Sequence, residues 1–279
     1  MQWTPGDRSN VEDVRGRGIG MTGIGSVGIG GVLLLALLSW ATGTNFLSLL
    51  SQTSNSTGTV GQHAPSASTS PAEEREVDFV DAVMKDVQAT WQTILPRRYQ
   101  STRVVVFRDA IDSACGMAQS ATGPFYCPTD MRVYLDLGFF RELSDRFGAP
   151  GDFARAYVIA HEVGHHVQRL GGIEARTRTE SVPLELQADC FAGVWGHAAS
   201  QPGRAANGQV QLDPGDVEAG LRAAAAIGDD RLQRMATGRV MPERFTHGTS
   251  AQRVEWFKRG LTSGDPSACN TFGSAVATD

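Results

Sequence analysis

The stretch that most constrains what this chain can fold into is residues 154–170, ARAYVIAHEVGHHVQRL, centred on His161-Glu162-Val163-Gly164-His165. This is an H-E-x-x-H pattern, and on an α-helix residues four apart lie one above the other on the same face. Two imidazoles so placed can grip one Zn²⁺ through a nitrogen each. Glu162 sits one residue round the helix, where it can reach a metal-bound water without ligating the metal. Tyr157, Val158, Ile159, Val163 and Val167 flank the pattern, which predicts a buried helix, and a buried helix rarely keeps three ionisable groups idle. Gly164 costs about 1 kcal/mol against alanine in a helix interior, so the close approach of another backbone or a substrate is expected there. His166 points roughly 100° away from His161 and His165 and is read as a supporting residue.

A catalytic zinc usually takes three protein ligands and leaves a fourth position to water. A third histidine six residues after His165 is ruled out, because Gly171 stands there. The alternative is a carboxylate from the next helix. Val182–Ser200 reads as that helix, with Pro183 in its first turn, and it carries Glu185-Leu186-Gln187-Ala188-Asp189 beside an apolar run. Glu185 is the best candidate for the third ligand. Asp189, one turn later, can accept the other ring N–H of a ligand histidine and so fix its tautomer. The reverse, with Asp189 on the metal, stays open at this point.

At 279 residues the length allows one large domain or two small ones. The net charge of −5 and the absence of a basic run speak against a nucleic-acid partner. Residues 1–21 read as a short cytoplasmic segment, 22–42 as a transmembrane helix, 43–72 as a flexible Ser/Thr/Gly-rich linker and 73–279 as the globular domain. A cleavable signal peptide competes with the span, but Leu38-Ser39-Trp40-Ala41 is a poor cleavage site. Arginines precede the span and none follows it before Arg75, so the positive-inside rule predicts a single-pass cell-membrane protein with a cytoplasmic N-terminus and the domain outside.

Within 73–279, Val77, Val80, Val83, Met84, Val87 and Trp91 recur at helical spacing up to Pro96. Arg103–Phe107 and Val133–Leu137 read as strands, Phe139–Phe147 as a helix, and Asp152 as the N-cap of the H-E-x-x-H helix. Further helices are expected over Asp213–Ile227, Asp230–Ala236 and the end of FTHGTSAQRVEWFKRGL. The pattern is α+β, mainly helical with a small sheet. The four cysteines form no C-x-x-C pair. Their even number fits two disulfides in an oxidising compartment, Cys115–Cys127 closing a short loop and Cys190–Cys269 tying the C-terminus to the Glu185 helix.

HEVGHHVQ, then ELQADCFAGVW, then THGTSAQRVEWF, with a glycine-rich apolar stretch and Asn10-Val11-Glu12-Asp13 near the start, resemble the bacterial neutral zinc metallopeptidase family. The resemblance runs essentially end to end, to Ser267-Ala268-Cys269. That family is similar in turn to the gluzincins, including the HtpX-type and prenyl-protein-processing membrane peptidases. These carry a later E-x-x-A-D whose Glu binds zinc, matched by Glu185 and Asp189, and a T-H-P with an arginine six residues on, matched by His247 and Arg253. Gly248 departs from that pattern where the wider group has proline, and one span replaces several.

The resemblance implies a zincin-like, membrane-tethered endopeptidase that hydrolyses peptide bonds by a zinc-activated water with Glu162 as general base. It gives His247 as a donor to the oxyanion. Arg253 is expected to pair with an acidic residue near the site. The VYLDL strand is expected to be the edge along which a peptide or protein substrate lies. The rival reading is a catalytically inactive, membrane-anchored scaffold, which has no need of Glu162; an esterase or amidase using the same zinc chemistry is a third.

Overall fold

A computed structural model describes residues 1–16, 69–119 and 123–273. The first helix, α1 (Pro71–Ile94), begins where the sequence supplies both halves of a capping box. The Glu73 N–H donates to Ser70 Oγ at 3.2 Å and the Ser70 N–H donates to the Glu73 carboxylate at 2.9 Å. Its apolar stripe, Val77 through Trp91, is buried against a mixed sheet and the helices behind it.

The sheet runs β1 (Val11–Asp13), β2 (Arg103–Phe107), β6 (Arg132–Asp136), β5 (Phe125–Cys127). β1 and β6 pair with β2 in parallel, and β5 pairs antiparallel with β6. Between β2 and β5 the chain makes an antiparallel hairpin, β3 (Ala110–Ser113) with β4 (Gly116–Gln119). The two-residue period of strands is visible in burial. Val104, Val106, Val133 and Leu135 enter the main core, while Val105, Phe107, Tyr134 and Cys127 form a smaller cluster on the opposite face.

The VYLDL segment is therefore an inner strand, flanked by β2 and β5, and the edge expected there belongs to β5. A strand whose residues are buried on both faces sits centrally for the same reason that its sequence lacks alternation.

Met1–Arg15 belongs to the same unit as Thr69–Asp279. Asp81 of α1, fully buried, explains how this segment is held. It accepts hydrogen bonds from the Arg8 N–H at 3.0 Å, the Asn10 N–H at 3.1 Å and the Asn10 side-chain amide at 3.1 Å. Arg8 also pairs with Asp78 and Glu74, and Arg15 with Asp13 and Glu74. Trp3 packs edge-on against Phe79 and donates from Nε1 to Asp152 at 3.2 Å.

The expectation of a transmembrane helix ahead of the domain is corrected here. Among the described residues no helix is long and apolar enough to cross a membrane, and the stretch 22–42 lies outside them. The position of β1 adds a physical objection to a single crossing: a chain that passed a bilayer once between Arg15 and Thr69 would part β1 from β2, with which it is hydrogen-bonded.

The rest is helical: α2 (Gly138–Asp145), α3 (Asp152–Leu170), α4 (Ser181–Ala199), α5 (Asp216–Ala226), α6 (Asp229–Thr237) and α7 (Ser250–Ser263). Asp152 is the first residue of α3 and Gly151 its cap. The aspartate expected as that cap binds Trp3 and Arg155 instead. Gly164 lies where α3 meets α4, and a Cβ there would stand 3.0 Å from the Ala188 carbonyl oxygen and 3.1 Å from its Cα. Gly260 of α7 faces the Cys190 carbonyl of α4 so closely that a Cβ would overlap it. The disulfides join Cys115 to Cys127 and Cys190 to Cys269, with Cα separations of 5.8 Å and 5.6 Å.

Candidate metal centre

α3 presents His161 and His165 on one face, and α4, packed across Gly164, brings Glu185 to meet them. His161 Nε2 lies 3.1 Å from one Glu185 carboxylate oxygen and His165 Nε2 lies 3.5 Å from the other. A ligand atom from each of the three residues falls within 4.8 Å of the others, a spacing that one small cation can bridge. Among the described residues no other group of three or more His, Cys, Asp or Glu meets that condition. Two imidazole nitrogens and a carboxylate oxygen are a donor set suited to zinc, and one that leaves a coordination position open.

Asp189 occupies the opposite side of His161, with Oδ1 2.9 Å from Nδ1. It faces the nitrogen that points away from Glu185, so in this geometry Asp189 orients a ligand rather than being one. Since a carboxylate can only accept, Nδ1 carries a hydrogen toward Asp189, and Nε2, which must give up its own proton for a metal to bind, faces the metal position.

Behind Asp189 stands Arg253 of α7, donating from Nε to Oδ2 and from Nη2 to Oδ1 at 2.8 Å each. The Tyr157 hydroxyl donates to the same Oδ1, and Arg253 Nη1 reaches the Ile227 carbonyl at 3.2 Å. Burial alone would raise the Asp189 carboxyl, but Arg253 and then His161 outweigh it and hold it at about 2. Burial would likewise keep His161 neutral, yet the Asp189 and Glu185 carboxylates push it up to about 10. His165 is raised for the same reason, by Glu185 against burial.

His165 is oriented by a different residue, Gln168, whose Oε1 lies 2.9 Å from Nδ1. Gln168 is fixed in turn by donating from Nε2 to the Leu184 carbonyl at 2.7 Å and to Gln187 Oε1 at 3.0 Å. Neither Gln168 nor Tyr157 emerges as part of the site from the sequence reading. A signal was available for Gln168, since a position three residues after His165 shares its helix face.

Glu162 is buried beside the histidines. Burial raises its carboxyl above the ordinary glutamate range, although both histidines pull the other way.

His247 lies on the loop before α7 and lines the same cleft. Its Nδ1 is 3.2 Å from Asp229 Oδ1 and 2.9 Å from Thr246 Oγ1, and its backbone N–H donates to Asp229 at 2.7 Å. Asp229, the first residue of α6, also receives the Thr246 and Gly248 N–H groups. This carboxylate shapes the loop, and the sequence reading does not single it out.

The cleft encloses about 1020 Å³. Its floor is one stripe of α3, from Val158 through His161, Glu162 and His165 to Arg169. At about 1.5 Å per residue that stripe is roughly 16 Å long, which accommodates about five residues of extended chain at ~3.3 Å each. Phe125, Tyr126, Phe139, Phe147, Ile227 and Leu232 are among its apolar lining.

A helix carrying H-E-x-x-H, completed by a glutamate from the next helix and set in an elongated cleft, defines the class of zinc-dependent hydrolases. The chain belongs to the family described as "Putative neutral zinc metallopeptidase", which matches residues 1–272. Relatives cover most of its length. The uncharacterized protein YpfJ of Escherichia coli K12 is 44% identical, with 99% of this chain and all of that protein covered. The uncharacterized protein Rv2575 of Mycobacterium tuberculosis H37Rv is 44% identical over 70% of each chain. No solved structure matches.

Proposed function

We propose that this chain is a zinc-dependent endopeptidase that cleaves extended segments of peptides or proteins, with Glu162 as general base. The observation that carries the reading is the convergence of His161, His165 and Glu185 on one point of the cleft floor, with Glu162 beside them. Zinc, when bound, supplies Lewis acidity and lowers the pKa of water to about 7.

The chain's own residues do the rest. Glu162 takes a proton from the attacking water and returns it to the leaving amine; its burial favours the proton-holding half of that cycle. Asp189 and Gln168 hold the two ligand rings, and Arg253 holds Asp189. His247 supports the oxyanion. With Nδ1 turned to Asp229, its Nε2 can donate only from the imidazolium form. The two disulfides favour an oxidising compartment, with Met1–Arg15 on the same side as the rest of the fold.

The test is zinc content and cleavage of casein by the full chain beside Glu162→Gln. The full chain is required because Met1–Arg15 supplies a strand. Zinc in both with cleavage lowered about 10²–10⁴-fold in the variant supports the reading. Zinc in both with equal cleavage overturns Glu162 as the base, zinc in both with cleavage by neither leaves the scaffold reading, and no zinc in either overturns the metal site.

A further inference from the structure

The third histidine of HEVGHH, His166, takes no part in the metal centre, yet it is among the most deeply buried side chains of the protein. Both of its ring nitrogens are engaged. Nε2 lies 2.6 Å from the Gln100 carbonyl oxygen, just ahead of β2, and Nδ1 lies 3.0 Å from the Tyr126 hydroxyl. A carbonyl only accepts, so Nε2 carries the hydrogen. In the neutral ring Nδ1 is then an acceptor, and the Tyr126 hydroxyl donates to it. Tyr99 and Tyr126 pack edge-on against the ring at 5.7 Å and 5.5 Å between centroids. With both ring nitrogens engaged, His166 is a strut with fixed orientation rather than a spare ligand.

What it braces is the edge of the sheet. Tyr126 is the middle residue of β5, and β5 pairs with β6 on one side only among the described residues. Phe125, its neighbour on the opposite face, stacks on Tyr134 at 4.8 Å between centroids. Phe125 and Tyr126 both line the cleft over the metal centre. A three-residue strand has little pairing of its own to hold it. Its distance from α3 is set by the Tyr126 hydrogen bond to the residue that directly follows the ligand His165.

We propose that His166 is a positioning residue for substrate: through Tyr126 it fixes the free edge of β5 beside the metal centre, so that an extended peptide can add to that edge as a further strand. This rests on the endopeptidase reading. A peptide long enough to reach β5 depends on the strut; a substrate that spans only the bond being cut does not.

The experiment compares the zinc-loaded full chain with His166→Phe, Tyr126→Phe and the double variant, on an eight-residue quenched-fluorescence peptide and on a blocked dipeptide amide. Amide hydrogen exchange at Phe125–Cys127 is followed in parallel. Each single variant is expected to raise KM for the long peptide roughly three- to tenfold, through the His166–Tyr126 hydrogen bond that both remove; His166→Phe also loses the bond to Gln100. For His166→Phe, kcat on the short substrate is expected to stay within about twofold; β5 exchange should quicken in each variant, and the double variant should be no worse than His166→Phe on the long peptide.

Equal losses on both substrates, additive losses in the double variant, or unchanged β5 exchange would each overturn the proposal. If the parent cleaves neither substrate the endopeptidase reading fails, and long-peptide binding by zinc-loaded Glu162→Gln, with and without His166→Phe, then decides the strut. Equal affinities there overturn it.

Discussion

The guanidinium of Arg253 meets the carboxylate of Asp189 through two parallel hydrogen bonds of 2.8 Å each, and both residues are buried. Asp189 in turn fixes His161, so α7 reaches the metal centre without touching the metal. In Asp189→Asn the arginine stays buried without its counter-charge, a loss of about 3–5 kcal/mol of stability, and zinc affinity drops about 10–100-fold. Urea unfolding and chelator competition measure the two effects.

The same pair predicts acid behaviour. Asp189 is held at about 2 in the fold, below the roughly 3.9 of a free aspartate. A depressed carboxyl stabilises the fold above its unfolded pKa, and that contribution is lost as pH falls through its folded pKa. The metal-free parent should therefore lose stability between about pH 4 and pH 2 more steeply than Asp189→Asn does. Thermal melts across that range are the check.

Zinc binding should strengthen as pH rises. His161 is pushed up to about 10 and His165 is raised by the carboxylates around them, so protons compete with the metal for both rings at neutral pH. Displacing one to two protons changes affinity by roughly ten- to hundredfold per pH unit. Competition with a chelator of known pH response at pH 6, 7 and 8 should give a slope between one and two; a flat profile would show that the rings bind metal without releasing protons.

Gly164→Ala tests the crossing of α3 and α4. Alanine gains about 1 kcal/mol of helix propensity, but its Cβ would stand 3.0 Å from the Ala188 carbonyl oxygen. Forcing the helices apart costs about 1–3 kcal/mol and moves Glu185 away from His161 and His165. The expected result is a small net loss of stability with a disproportionate loss of zinc affinity.

The disulfides should differ in weight. Cys190–Cys269 closes a separation of 79 residues and Cys115–Cys127 one of 12. Chain entropy assigns about 4.5 kcal/mol to the longer loop and about 3 kcal/mol to the shorter. Unfolding of Cys269→Ser and Cys115→Ser, each paired with Ser at its partner position, gives the comparison.

The metal centre is legible in the sequence because its parts are helical and local: His161 with His165, and Glu185 with Asp189, are each four apart on one helix face. The helices follow the apolar spacing for the same reason, α4 within a residue of its expected bounds. What escapes is non-local. Nothing near Asn10-Val11-Glu12-Asp13 announces a strand, because β1 is three residues long and its partner begins at Arg103. The edge at β5 is hidden by the stronger strand pattern of VYLDL. Gln168 and Asp229 act through hydrogen bonds that composition does not signal.

The pairing of β1 with β2 also bears on the order in which the molecule assembles. The ribosome delivers Val11–Asp13 first, yet Asp81 and Val104–Val106, which receive it, are made much later. Closing so distant a contact carries a loop-entropy cost that only a preformed docking face offsets. β1 therefore cannot take its place until both α1 and β2 have been made. Slowed translation between Arg15 and Asp81 would prolong the time it waits unpaired.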